Sequence, residues 1–315
     1  MKFRHVALAL GSVALAPTAT LAQTVDDPQA TVVETLVVNA RLPGPAWWKV
    51  SDEDTTVYIL GLPPSLPKGM AWDSSVLDNR LKGAFAYIKP PKAQAGLGDI
   101  PALLKLRKSL LAEHPLEDRS PQLAARLSKA WAATDPKKPN DWRDWKPLGA
   151  ALFLGSKANK VAGLEDAEPE RTIEKMARKN RIKIRASAVY KAVPILNAVA
   201  RQANETDGLA CLEEVLDDFD RGPEVDRQAS RAWAEGRVSA ALSGRRGPDR
   251  CSLLLPGVPA FIRKAASDDV AALSEALKTP GHAVAVYSMR GLVAQNGVLD
   301  QLRDRGYTVK TPADQ

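Results

Sequence analysis

The chain has 315 residues, of which 45% are hydrophobic and 26% are charged, and its formal net charge is +7. This length suffices for one large domain or two small ones. No stretch approaches the roughly 18 consecutive apolar residues of a membrane-spanning helix, and the lack of a C-x-x-C pair excludes a zinc ribbon or a thioredoxin-type redox site.

Residues 1–22 have the pattern of a secretory signal. Lys2 and Arg4 form a short basic region, an apolar run covers residues 6–16, and small residues lead up to Ala22. We expect cleavage near Ala22 and a mature protein that is periplasmic or secreted and not transmembrane. The alternative is an uncleaved N-terminal anchor, although the apolar run is short for a membrane span.

Residues 23–44 are predicted to form an extended leader ahead of the folded domain. The segment from Glu34 to Arg41 is rich in β-branched residues. It resembles the TonB box, a short segment that outer-membrane receptors donate as a strand to TonB. In such a contact, backbone hydrogen bonds supply the affinity. The alternatives are an ordinary edge strand and a plain tether.

From residue 45 onward the chain alternates between strand patterns and helix patterns. Apolar and β-branched runs predict strands at residues 47–50, 55–60, 84–88, 150–154, 283–288 and 307–310. Apolar periodicity predicts helices at residues 74–81, 100–111 and 299–305, and an almost wholly helical stretch at about 169–242. Pro194 is expected to bend or break that stretch.

This order of elements predicts an α/β fold in residues 45–315. A central mixed sheet is built from both chain ends and flanked by helices, and a long helical insertion at about 169–242 lies between the two ends. Residues 132–147, rich in Pro, Asp, Lys and Trp, are predicted to form a loop.

Four motifs resemble those of the TraB/GumN family, the bacterial relatives of the Tiki metal-dependent proteases. They are VYILGLPPSLPKG at residues 57–69, VAGLE at 161–165, AWAEG at 232–236 and AVYSMRGLV at 285–293. The resemblance extends over nearly the whole chain from Pro45.

The resemblance also implies a metal site that this chain has lost. Family members place a histidine after each of two strands and a glutamate after a third. Here Pro64, Gly291 and Lys89 stand at those positions. A metal-assisted hydrolase needs about three protein ligands. We therefore expect no metal, no other cofactor and a catalytically inactive protein that acts by binding. The alternative is an active hydrolase that uses non-standard residues.

The same strand ends are expected to form a ligand cleft, because open α/β sheets bind ligands at the carboxyl ends of their strands. Lys89 and Arg290 would give it a positive lining suited to an anionic small molecule or a peptide carboxylate. The alternative is a cleft filled with side chains. The candidate cleft residues are Pro64, Tyr87, Lys89, Glu165, Ser288, Arg290 and Gly291.

Cys211 and Cys251 are the two cysteines of the chain. An even number suits an oxidising compartment, and their positions resemble those of a cysteine pair in the family, which implies a disulfide. The alternative is two separately buried thiols.

Eight basic residues crowd the stretch between Arg171 and Lys191. Nucleic acid is not expected as a partner, because Tyr190 is the one aromatic residue nearby and the compartment is wrong. The default interpretation is a solvated helix face, and attraction to anionic lipid is the alternative.

Overall fold

A computed structural model describes residues 44–165 and 168–312 of the chain. The predicted signal at residues 1–22 and the TonB-box-like segment from Glu34 to Arg41 lie outside the described residues. Their interpretation stays a prediction.

In the described part of the chain, ten strands form three sheets. The strands are β1 Trp47–Ser51, β2 Thr55–Leu62, β3 Leu66–Pro67, β4 Ala86–Lys89, β5 Lys92–Gln94, β6 Leu164–Glu165, β7 Lys183–Ala186, β8 Val189–Lys191, β9 Gly281–Ser288 and β10 Thr308–Lys310. Six of them make the central sheet in the order β10-β1-β2-β9-β4-β7, while β3 pairs with β6 and β5 pairs with β8.

The central sheet is mixed and draws strands from both ends of the chain, as predicted. β2, β9, β4 and β7 are parallel neighbours, and β1 is antiparallel to both β2 and β10. Leu62 at the end of β2 is aligned with Ser288 at the end of β9. The carboxyl ends of the four parallel strands therefore meet at one edge of the sheet.

Within the same described residues there are thirteen α-helices. They are α1 Ser75–Leu81, α2 Ile100–Ser109, α3 Pro121–Thr134, α4 Pro147–Val161, α5 Glu168–Lys179, α6 Ala192–Gln202, α7 Glu205–Arg221, α8 Glu224–Ala234, α9 Val238–Ala241, α10 Gly247–Leu254, α11 Val258–Ala276, α12 Met289–Val293 and α13 Val298–Asp304. Three short 3-10 helices occur at Leu97–Asp99, Leu116–Asp118 and Asp141–Asp144. None of the helices in the described ranges combines the length and apolarity that a membrane crossing needs.

The main hydrophobic core packs helices against the central sheet. At the end of β2, Trp233 of α8 donates from Nε1 to the Gly61 carbonyl at 2.8 Å. A Cβ atom at position 61 would lie 2.9 Å from the Trp48 ring and 3.1 Å from Met289. Glycine is thus needed where β2 ends, because larger residues would push these side chains apart.

A second hydrophobic cluster joins α3, α4, α7 and α10, and buries Trp131, Leu127 and Leu154. Cys211 of α7 and Cys251 of α10 form a disulfide inside it. The predicted disulfide is therefore present in the fold, and it cross-links two helices of this cluster.

The prediction of a strand at residues 150–154 is wrong, because these residues lie within α4. Pro147 occupies the first turn of that helix, where its missing N–H costs no hydrogen bond. Ala150, Ala151 and Leu154 are buried, whereas Leu152 is 49% exposed. This spacing follows the helical period, which a five-residue apolar run is too short to reveal.

The prediction of a wholly helical stretch at 169–242 is wrong for residues 183–191, which form β7 and β8. The chain leaves α5 through Arg181, whose φ is 57°. Pro194 does not interrupt a helix, because it lies in the first turn of α6.

The basic residues of this stretch do not share one helix face. Arg171, Lys175, Arg178 and Lys179 lie on α5, Lys183 and Arg185 on β7, and Lys191 on β8.

Candidate functional site

A cavity beside β4 and β7 is lined mainly by cationic side chains. We call it the cationic groove. Its volume is about 650 Å³, and its lining is Lys89, Lys92, Glu174, Arg178, Arg181, Ile182, Ile184, Arg185 and Ala186. The lining of the groove thus contains five cationic side chains and one carboxylate, that of Glu174.

Lys89 is held at the inner end of this groove by two glutamates of α5. Its Nζ lies 2.8 Å from Glu170 Oε1 and 2.7 Å from Glu174 Oε2, and its side chain is 21% exposed. Burial lowers the pKa of Lys89, but the hydrogen bonds and charges of the two glutamates outweigh burial and raise it. Lys89 is therefore a fixed cation.

Tyr87 lies two residues before Lys89 on β4 and is fully buried. Among the described residues its hydroxyl has no hydrogen-bond partner. Burial, followed by the charges of Glu170 and Glu174, raises the pKa of Tyr87 well above its ordinary value. The hydroxyl stays protonated, and its surroundings are those of the core rather than of a surface subsite.

Pro64 lines a separate cavity of about 300 Å³, together with Asp218, Asp226, Asp249 and Arg245. We call it the Pro64 cavity. Asp226 accepts from the Arg245 backbone N–H at 2.9 Å and from its Nε at 2.6 Å. Asp218 accepts from Gly247 N–H and from Arg221. The acidic groups in this cavity are therefore already neutralised by guanidinium groups and a backbone donor.

Arg290 does not line the cationic groove. Its guanidinium is buried, donates to Asp249 Oδ2 at 2.6 Å and donates to the carbonyls of Gly244 and Arg245 at 2.9 and 3.2 Å. Burial lowers the pKa of Arg290 and raises the pKa of Asp249. These bonds join α12 to α10 and to the turn that precedes α10.

The other predicted cleft residues are dispersed around the same edge. Glu165 on β6 accepts from Arg171 at 2.9 Å and lies 3.5 Å from Lys68. It lines a third cavity, away from the cationic groove. Ser288 is exposed at the end of β9, and Gly291 lies in α12. The structure thus places Lys89 in one cavity, Pro64 in another and Glu165 in a third.

The residues present do not fit the metal that the family motifs imply. Proline and glycine at positions 64 and 291 offer no side-chain ligand, and the Lys89 ammonium occupies the space between the Glu170 and Glu174 carboxylates. Within residues 44–165 and 168–312, no group of three or more His, Cys, Asp or Glu side chains is arranged to hold a metal ion. We derive no chemical step through a metal.

Sequence reasoning missed a buried polar group beneath α11. Ser187, just after β7, donates from Oγ to Asp269 Oδ1 at 2.5 Å. Burial raises the pKa of Asp269 to about 7, against the opposing effect of Ser187. Burial, followed by the charge of Asp269, also raises the pKa of Tyr287. No local motif marks this group, because its members come from β7, α11 and β9.

Sequence reasoning also missed the partners of Lys89 and the acidic groups of the Pro64 cavity. Glu170 and Glu174 are four residues apart, a spacing that puts both on one helix face, so a sequence signal existed for them. Asp218, Asp226 and Arg245 meet through tertiary packing alone, and no sequence signal could have joined them.

A family model described as the TraB/PrgY/gumN family matches residues 46–311. No curated protein matches the chain, and no solved structure does. The matched residues include β1, the whole central sheet, the cationic groove and the Pro64 cavity.

Proposed function

The chain belongs to the TraB/PrgY/gumN family, and on that premise we propose that it is a secreted member that has lost catalysis and binds an anionic ligand in the cationic groove. The ligand is expected to be a small polyanion or a carboxylate-bearing peptide.

The observation that carries this proposal is the excess of unneutralised positive charge in the groove. Lys89 pairs with Glu170 and shares Glu174 with Arg178. Lys92, Arg181 and Arg185 form no salt bridge with any residue in the described ranges. A bound carboxylate or phosphate would pair with the unbridged ammonium of Lys92 and guanidinium of Arg181.

The loss of catalysis is proposed from the residues that replace the family ligands. Pro64 and Gly291 bring no ligand atom, and Lys89 is fixed as a cation by Glu170 and Glu174. A metal-bound water needs an open coordination position held by about three ligands, and these positions supply none. Binding is the activity that the remaining groups support.

Export is proposed from the basic and apolar pattern of residues 1–22 and from the disulfide between Cys211 and Cys251. Disulfides persist in oxidising compartments and are rare in the cytosol. The periplasm or the extracellular space is therefore the proposed location.

Isothermal titration of the mature protein with citrate tests the groove. We expect binding that weakens as salt rises, because partly exposed charges are screened. A Lys92→Gln/Arg181→Gln variant should bind at least tenfold more weakly. The matched control is Lys105→Gln/Lys129→Gln, which removes two exposed helix cations outside the groove and should bind like the parent.

Equal binding by the groove variant and the control would overturn the assignment to this groove. A peptidase assay on unfolded protein substrates supplies the test of catalysis. Turnover that disappears in Lys89→Ala would favour the hydrolase instead of the binding protein.

A further inference from the structure

The outer boundary of the cationic groove is the edge of a β-sheet. β7 stands last in the order β10-β1-β2-β9-β4-β7, so within the described residues it has β4 on one side and no strand on the other. An unpaired edge presents a row of backbone N–H and C=O groups that a further strand can pair with.

The direction of these backbone groups follows from one hydrogen bond. The Ser187 N–H donates to the Lys89 carbonyl at 3.0 Å, which continues the β4–β7 ladder. Backbone groups alternate between the two sides of a strand, so Arg185 also faces β4. Ile184 and Ala186 therefore turn their N–H and C=O groups to the open side.

The groove lies along this open side and not on one face of the sheet. Ile184, Arg185 and Ala186 are consecutive, and all three line it. Successive side chains of a strand point to opposite faces, so a cavity that touches three in a row lies against the strand edge. Ile182 and Ile184 add apolar surface between the cations.

Cations flank both ends of the exposed edge. Arg181 precedes β7 by two residues, and Lys89 is aligned with Ala186 at its far end. Lys92, on the short strand that follows β4, lies beyond Lys89 along the chain. The groove thus offers outward backbone groups in the middle and positive charge at both ends.

We infer that an extended acidic peptide binds in the cationic groove by adding as a strand to the open edge of β7. This inference rests on the proposed function and specifies its ligand. Backbone hydrogen bonds to Ile184 and Ala186 supply register and affinity, as in other strand-addition complexes. Acidic side chains of the peptide meet Arg181, Lys92 and Arg185, while its small apolar residues meet the isoleucines.

A peptide fits this edge better than a small anion does. β7 has four residues, which span about 13 Å at the usual rise of a strand. A single phosphate or citrate reaches one cluster of cations and leaves the backbone groups of Ile184 and Ala186 to water. An extended segment of about five or six residues pairs with both backbone positions and reaches both charged ends.

The test uses a fluorescein-labelled six-residue peptide of alternating glutamate and valine and the mature protein, with fluorescence anisotropy as the readout. Two further peptides carry the same side chains but have N-methyl groups on every second backbone nitrogen. One is methylated at the odd positions and the other at the even positions. We expect the N-methylated peptides to bind at least tenfold more weakly, because they lose the donors that strand pairing needs.

Two substitutions at one position test the protein side. Ala186→Pro removes an outward N–H but leaves the ladder to β4, since Arg185 and Ser187 carry it, and proline is tolerated on sheet edges. We expect Ala186→Pro to bind the peptide at least tenfold more weakly than Ala186→Val, which adds a side chain of similar size but keeps the donor, and we expect the two variants to differ much less in citrate binding. Circular dichroism checks that both variants fold.

The outcomes separate the two proposals. Equal affinity for the normal and N-methylated peptides overturns strand addition, whether or not Ala186→Pro folds, and leaves anion binding standing. If citrate binds and the acidic peptide binds no more tightly than citrate, strand addition is also overturned and anion binding stands. Binding of neither citrate nor peptide overturns both. Strand addition is supported if the N-methylated peptides and Ala186→Pro both lose peptide affinity while citrate affinity persists.

Discussion

Arg290 Nη1 donates to Asp249 Oδ2 at 2.6 Å, and the Arg290 side chain is 4% exposed. The same guanidinium donates to the carbonyls of Gly244 and Arg245. Arg290 follows the end of β9, where the sequence favoured a ligand-binding cation. Its donors are instead committed to the protein, so its contribution lies in joining α12 to α10.

Replacing Arg290 with methionine should therefore lower stability rather than ligand affinity alone. We expect a loss of about 1–3 kcal/mol in the free energy of unfolding, because the partly buried Asp249 carboxylate and two carbonyls would lose their donor. Urea denaturation measures the loss.

The matched control for Arg290→Met is Arg303→Met. Arg303 pairs with Asp300 at 2.8 Å in an exposed setting, where ion pairs contribute about 0–1 kcal/mol. Similar losses in both variants would contradict the structural role of Arg290.

The strands of the central sheet could be predicted from the sequence because β2 and β9 each show a clear strand pattern within a short stretch of the chain. β2 and β9 carry apolar runs with β-branched residues next to recognisable motifs, and these strands are aligned over eight residue pairs. Residues 150–154 and 183–191 were mispredicted because their apolar or basic runs are too short to distinguish periods of 2 and 3.6. Tertiary packing decided both cases.

The site was predicted only in part, for a related reason. Lys89 could be found because it replaces a residue of a family motif next to a strand end. The separation of Pro64 and Glu165 into different cavities and the burial of Arg290 depend on how α4, α7, α8 and α10 pack, as the contacts of Arg245 with Asp226 and Asn159 show. Nothing in the local sequence around these residues encodes that packing.

Asp269 should make stability depend on pH. Burial raises the pKa of Asp269 from the ordinary range of an aspartate to about 7, with Ser187 opposing the rise and Asp268 adding to it. The folded state therefore holds this proton more tightly than the unfolded state between about pH 4 and pH 7. Protonated Asp269 therefore contributes its full stabilisation below about pH 4, and this contribution is lost as the pH rises through the folded-state pKa of Asp269.

Asp269→Asn should remove most of that dependence, because the amide oxygen still accepts from Ser187 and carries no charge to bury. Urea denaturation at pH 5 and pH 8 measures the free energy of unfolding of both proteins. We expect the difference between variant and parent to shift in favour of the variant by on the order of 1–3 kcal/mol from pH 5 to pH 8. Asp304→Asn, on the exposed end of α13, is the control and should change nothing with pH. A parent protein equally stable at both pH values would refute the prediction.

The disulfide between Cys211 and Cys251 should contribute measurably to stability. The two residues are 40 apart in sequence, and closing such a loop is worth about 3–4 kcal/mol in the chain-entropy model. Dithiothreitol should lower the melting temperature of the protein. A Cys211→Ala/Cys251→Ala variant should melt lower from the start and be insensitive to dithiothreitol. Titration of two reactive thiols in the native protein would contradict the bond.

Metal should neither bind nor stabilise this protein. Lys89 Nζ lies within 2.8 Å of both the Glu170 and the Glu174 carboxylates, so a cation already sits where a divalent ion would need those ligands. The acidic side chains of the Pro64 cavity are engaged by Arg221, Arg245 and Arg290. We expect elemental analysis of the purified mature protein to find no stoichiometric zinc, manganese or cobalt, and we expect the melting temperature to be unchanged by these ions or by a chelator. One ion per chain, lost together with stability on chelation, would show that the family's metal chemistry survives with other ligands and would remove the basis for a purely binding function.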